Sequence, residues 1–242
     1  MSGHSKWNNI KNKKEKSDSQ RAKIFTKFGR EIAVAVKEGG PDPDANAKLR
    51  DVIAKAKAQN VPNDNIARSI KKAAGDNGGA NYESIIYEGY GPSGVAVIVE
   101  ALTENRNRTA SDVRHCFDKC GGNLGTVGCV SFMFDKKGVI VIDNEEGDLE
   151  EDAVMMDALD AGASDFSAED GYFEILTEPD EFGVICDALE QKGYKFTEAE
   201  VEYVPQTTVQ LTDEDAVKNM NKLIDMLEDS DDVQNISHNW EE

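Results

Sequence analysis

The sequence predicts an α+β protein: an N-terminal three-helix domain followed by two small α/β (ferredoxin-like) domains, one inserted in the other. Three observations predict it. Apolar residues recur at helical spacing up to about residue 75, and beyond residue 80 the segments become β-rich. The elements from residue 139 then run strand, helix, strand, strand, helix, strand, which is the split βαβ order.

Residues 1–18 are polar, rich in Asn, Lys and Ser, and without apolar period. They cannot bury enough surface to order themselves, so they read as a flexible basic arm. The helical domain, residues 19–76, follows from three apolar stripes. Ile24, Phe25, Phe28, Ile32 and Ala35 form the first, Leu49, Val52, Ile53 and Ala56 the second, and Ile66, Ile70 and Ala73 the third. Gly39-Gly40-Pro41 and Asn60-Val61-Pro62 supply the breaks, because Gly accepts a left-handed C-cap and the residue before Pro avoids helix. Residues 75–80 read as a linker.

Beyond the linker, 84–88 and 95–102 are strand-like, and 109–120 is helical with Thr109 and Asp112 spaced as a capping box. A strand over 129–134 follows, and Asp135-Lys-Lys-Gly138 reads as a turn into a strand over 139–142. Next come a helix (149–161), two strands, a helix (179–191) and a strand to 204. After Pro205 a short strand (208–211), a helix (213–229) and a last strand ending near Trp240 are expected. Residues 82–134 hold too little helix to cover a sheet on their own, so the C-terminal segment should complete that domain. The predicted division is therefore a middle α/β domain from 81–134 plus 205–242, with 135–204 inserted as a ferredoxin-like domain.

Charge sets the function classes. The 242 residues carry a formal net charge of -20, yet the first thirty hold nine Lys/Arg against two Asp/Glu. Residues 1–80 have 17 basic and 9 acidic side chains, and residues 81–242 have 10 and 38. An acidic body repels phosphate, so only a local nucleic-acid contact at the basic end is compatible with this division. Lys6, Lys11, Lys13, Lys14, Lys16, Arg21, Lys23, Lys27 and Arg30 are the candidate phosphate contacts. Trp7 among them either stacks on an unpaired base or folds back as an apolar anchor. No stretch approaches the apolar length of a membrane span, no secretory h-region follows the N-terminal charges, and four sparse cysteines suit a reducing compartment. The expected protein is cytoplasmic and monomeric, with no membrane partner.

Chemical motifs are weak. Gly89-Tyr-Gly91-Pro-Ser-Gly94 matches the dinucleotide fingerprint in letters, but Val95-Ala-Val-Ile-Val reads as a strand where the fingerprint needs a helix. A glycine-rich hairpin loop fits better. Val113, Cys116, Phe117 and Cys120 share one apolar helical stripe, so thiols in the core are expected rather than zinc ligands with His115 and Cys129, and Cys186 lies on another helix. Acidic pairs such as Glu150/Glu151 or Asp231/Asp232 read as solvated faces. No nucleophile, acid-base pair, metal set or cofactor site emerges, so a non-enzyme without cofactor or small-molecule substrate is expected. Arg106 and Arg108 stand just before the predicted helix N-terminus, placed either to hold an anion or to pair with Glu104 or Asp112.

Several segments together resemble the YebC/PmpR family: Gly3-His4-Ser5-Lys6-Trp7 with Ile10-Lys11, Lys23-Ile-Phe-Thr-Lys27, Tyr87-Glu-Gly-Tyr-Gly-Pro92, Glu104-Asn-Arg-Asn-Arg-Thr109 and Gly121-Gly-Asn-Leu-Gly125. The resemblance spans essentially the whole chain and brings His4 into the candidate set. Mitochondrial relatives in that family include the translational activator of cytochrome c oxidase subunit I. The resemblance implies one helical domain plus two α/β domains, and a regulator of gene expression. Its first form is a DNA-binding transcriptional regulator. The alternative is a ribosome-associated factor that binds ribosomal RNA and helps translation through proline-rich stalls, and a third, of another class, is a hydrolase or metal enzyme in the acidic domains. Cys116 and Cys120 depart from the family pattern, which weakens a metal role further.

Overall fold

The computed structural model describes residues 18–75 and 81–241. The first elements are α1 (Asp18–Gly39), α2 (Ala47–Ala58) and α3 (Asn63–Ala74). Their facing stripes close a core of Ile32, Ala35, Val36, Leu49, Val52, Ala56, Val61 and Ile66, with Ile24, Phe25, Phe28, Ile53, Ile70 and Ala73 packed against it. Asn46 ties two of the helices together. Its Oδ1 accepts the Leu49 N–H (3.1 Å) as the cap of α2, and its Nδ2 donates to Ala35 O and Gly40 O at the end of α1, both at 2.8 Å. Of the predicted linker at 75–80, Gly75 caps α3 and residues 76–80 fall outside the described residues.

A hairpin follows, β1 (Glu83–Tyr90) and β2 (Ala96–Thr103), turned by the glycine-rich loop through Pro92–Gly94. Then come α4 (Arg106–Lys119), β3 (Asn123–Leu124) and β4 (Phe134–Asp143). Next are α5 (Glu151–Ala161), β5 (Asp165–Glu169), β6 (Tyr172–Thr177), α6 (Phe182–Gln191) and β7 (Glu198–Pro205). The chain continues through β8 (Val209–Gln210), α7 (Glu214–Glu228), β9 (Val233–His238) and β10 (Trp240–Glu241). Two four-stranded sheets result, in the orders β3-β1-β2-β9 and β5-β6-β4-β7, every pairing antiparallel. The second order is that of a split βαβ fold, with Ile140, Ile142, Phe173 and Ile175 of the sheet buried under Val154, Ala158, Ile185 and Leu189 of its helices. The protein is thus a mixed α/β chain with N-terminal helices and two small antiparallel-sheet domains.

By contacts the described residues group into two compact units, one of 132–210 with 239–241 and one of 18–131 with 211–238. In the second unit the helical bundle and the β3-β1-β2-β9 sheet belong to the same body.

Local expectations fail in three places. Residues 129–133 form no strand, because the N–H groups a ladder would need at Val130 and Ser131 are already donated to the Glu88 carboxylate. Residues 135–138 are not a turn; β4 runs straight through them. Gly138 is there because an added Cβ would strike the side chains of Thr177 and Phe182. Thr109 does not cap α4. The helix starts at Arg106 and its cap is Asn105, whose Oδ1 accepts the Arg108 N–H at 3.1 Å.

Candidate nucleic-acid interface

Of the predicted phosphate contacts, His4, Lys6, Trp7, Lys11, Lys13, Lys14 and Lys16 lie outside the described residues, and Arg21 sits near the start of α1. Lys23, Lys27 and Arg30 are spaced i, i+4, i+7, so α1 brings them to one face. That face is not open. Lys23 Nζ lies 2.5 Å from Asp229 Oδ1, Lys27 Nζ donates to the Glu228 carbonyl at 3.3 Å, and Arg30 pairs with Asp232.

Asp232 is the centre of this arrangement. It is 5% exposed and accepts from residues on three separate stretches of chain. Arg30 binds Oδ1 and also donates to Leu102 O at 2.9 Å, with its guanidinium 5.4 Å from the Tyr82 ring centre. Arg108 Nη2 bridges both oxygens at 2.8 and 3.1 Å. The Thr109 hydroxyl donates to Oδ2 at 2.7 Å and lies 2.8 Å from the Thr103 hydroxyl, which accepts the Asn105 N–H at 2.9 Å. Burial alone would raise the Asp232 carboxyl, but the hydrogen bonds from Thr109, Arg30 and Arg108 outweigh it and hold the pKa down to about 2. Asp232 is therefore not part of a solvated acidic face. Arg108 does pair with a carboxylate, but with one 124 residues away rather than with Glu104 or Asp112, and Arg106 pairs with Glu83 at 3.2 Å. Neither arginine precedes the helix; both are in its first turn.

A second buried carboxylate, Glu88, is 3% exposed and holds the loop at 128–131, whose sequence is strand-like from residue 129. It accepts the N–H groups of Gly128 (2.7 Å), Val130 (2.9 Å) and Ser131 (2.8 Å), while the Tyr90 hydroxyl donates to Cys129 O at 3.0 Å. Burial pushes the Glu88 carboxyl up, and these backbone donors more than reverse it, leaving its pKa lowered. Glu88→Gln is expected to cost about 2–3 kcal/mol, because the new amide turns an NH₂ toward N–H donors. Chemical denaturation measures the loss, and amide exchange at Gly128, Val130 and Ser131 should accelerate most.

The cations that do stand open lie elsewhere. Arg68, Lys71 and Lys72 share the outer face of α3 at i, i+3, i+4, and Arg50 and Lys57 stand on the outside of α2. All five are exposed and none has an ion-pair partner among the described residues. Their helical spacing is legible in the sequence, but the denser charge at the N-terminus masks it. Cys116 and Cys120 are core thiols, and burial raises the pKa of both.

Residues 5–76 match the TACO1/YebC protein N-terminal domain, and residues 82–240 match the TACO1/YebC second and third domain. The chain belongs to the TACO1/YebC family. Its relatives include a protein of Acetivibrio thermocellus, 67% identical over 99% of both chains, and one of Lachnoclostridium phytofermentans, 62% identical over the full length of both. Each bears the name "Probable transcriptional regulatory protein". Among solved structures, a conserved hypothetical protein from Aquifex aeolicus, Aq1575, superposes with a TM-score of 0.83 at 44% identity, covering 93% of this chain and 92% of that one. In this TACO1/YebC chain the segments that carried the resemblance have structural duties. Glu88 and Tyr90 shape the 125–131 loop, and the run from Asn105 to Thr109 caps α4 and binds Asp232. Gly122 lies so close under β1 that a Cβ would come within 2.5 Å of the Tyr90 carbonyl.

Proposed function

We propose that this chain is a non-enzymatic, nucleic-acid-binding regulator of gene expression, acting on duplex DNA as a cytoplasmic, monomeric transcriptional regulator. The observation that carries the reading is the division of charge: 17 basic against 9 acidic side chains in residues 1–80, and 10 against 38 thereafter. Such a chain meets phosphate at one end only. The open cations of α2 and α3 extend the basic end beyond the arm, and the names of the relatives agree with a role in transcription. No described helix is long and apolar enough to cross a membrane.

The test is binding of the purified protein to duplex DNA and to ribosomes at matched salt. Duplex binding should be lost steeply as salt rises from about 50 to about 200 mM, by a factor of roughly 500 if five phosphates are contacted. Weak, salt-insensitive binding to both would end the proposal.

Trp7 favours the ribosomal reading, because stacking requires an unpaired base that duplex DNA does not offer. Trp7→Ala separates the two. Loss of ribosome binding with intact duplex binding would make ribosomal RNA the partner, and an unchanged affinity for both would leave Trp7 as an apolar anchor.

A further inference from the structure

The cation row of α1 already has an occupant. Lys23, Lys27 and Arg30 lie along about 10 Å of helix, given a rise of about 1.5 Å per residue. All three take acceptors from one short stretch, the end of α7 and the turn after it: Asp229, the Glu228 carbonyl and Asp232. That stretch, Glu228-Asp-Ser-Asp-Asp232, holds four acidic residues and no cation. It also carries the negative end of the α7 dipole. Just upstream, burial first and then repulsion from Glu228 and Asp229 push the Asp225 carboxyl up.

We propose that the 228–232 turn is a built-in competitor for phosphate: it occupies the α1 row as a nucleic-acid backbone would, and binding at α1 requires it to yield Lys23 and Lys27. The inference rests on the nucleic-acid reading above. The contacts are of two grades. Arg30 and Asp232 are sealed in a buried network with Thr103, Thr109 and Leu102 O and remain joined. Lys23 and Asp229 are 34% and 74% exposed, a surface pair that water and salt already weaken and that a polyanion displaces. The turn therefore pivots on a fixed end at Asp232 and exchanges at the Asp229 end. A polyphosphate strand gains the α1 row only by paying the electrostatic cost of that exchange, which disfavours weak, isolated anions and favours long backbones.

The experiment compares Asp229→Asn/Asp231→Asn in the full chain with the wild type and with Asp180→Asn/Asp187→Asn, which removes the same charge from exposed positions in the other unit. Probes are a 20-base-pair duplex DNA and a single-stranded RNA of equal length. The turn variant should bind the duplex about three- to tenfold tighter than wild type at low salt, with a salt slope steeper by up to about 2, or about 0.9 per phosphate newly reached. The distal variant should shift far less. In the turn variant, adding Lys23→Gln/Lys27→Gln should abolish the gain. Equal tightening by both charge variants, or no tightening in the turn variant while wild type binds, overturns the competitor and leaves the nucleic-acid reading intact. If no protein binds either probe at any salt, the nucleic-acid reading fails and this inference with it. Binding gained only by the turn variant supports the competitor strongly, and a gain on RNA alone transfers it to an RNA partner.

Discussion

Asp232→Asn is expected to lower stability by about 3 kcal/mol, the usual cost of breaking a buried ion pair from one side. For a unit of this size that corresponds to a fall in Tm of roughly 6–12 °C. The loss is large because Arg30 stays behind half-enclosed by Leu102 O and the Tyr82 ring with no carboxylate to face, and because the Thr109 hydroxyl loses a charged acceptor. Asp231→Asn next door, at an exposed position, should change Tm little. A pH dependence accompanies the effect. The folded carboxyl titrates at about 2, below the ordinary value of 3.8, so its stabilisation is complete above about pH 4 and is lost as pH falls toward 2. The wild type should lose stability through that window more steeply than the Asn variant. Coincident acid profiles would show that Asp232 is not charged in the folded protein.

Neutralising Lys11, Lys13, Lys14 and Lys16 together to Gln should produce the largest functional effect. Each lost phosphate contact removes roughly 0.9 from the slope of log affinity against log salt, so a full set of four flattens it by about 3.6 on duplex DNA. Affinity near 100 mM salt should fall by at least about 100-fold, while Tm stays within about 1 °C because the arm has no apolar stripe with which to join a core. An unchanged slope would place the contact on Arg50, Lys57, Arg68, Lys71 and Lys72 instead.

The fold class was legible because it rests on periodicity. Ile32, Ala35, Leu49, Val52, Ala56 and Ile66 recur at helical spacing and are buried together, and the order of strands and helices after residue 139 dictated the split βαβ sheet. What escaped the sequence was every feature made by a single polar side chain at long range. Glu88 looks like one more acid in an acidic protein, yet it takes three backbone donors and removes residues 129–133 from strand formation. Asp232 is indistinguishable from Asp231 by letter or neighbours, but one is buried and the other exposed. The pairing of Arg30 and Arg108 with Asp232 was hidden for the same reason: local charge density marks cations as a group, and only the fold tells which have found carboxylates.

The pairing of β2 with β9 joins residues 97–101 to residues 233–238. During synthesis, β2 emerges more than 130 residues before its neighbour, and for that interval it presents a row of unpaired backbone groups on one side. The helical bundle and the β5-β6-β4-β7 sheet are assembled from contiguous chain and need nothing downstream to close, whereas the hairpin sheet is incomplete until the C-terminal strand is made. Asp232 arrives at the same moment, so Arg30 and Arg108 gain their counter-ion and β2 its partner in one late step. Chains shortened before residue 232 are thus left with an open strand edge and two orphaned guanidinium groups, a state suited to capture by chaperones or to edge-to-edge aggregation.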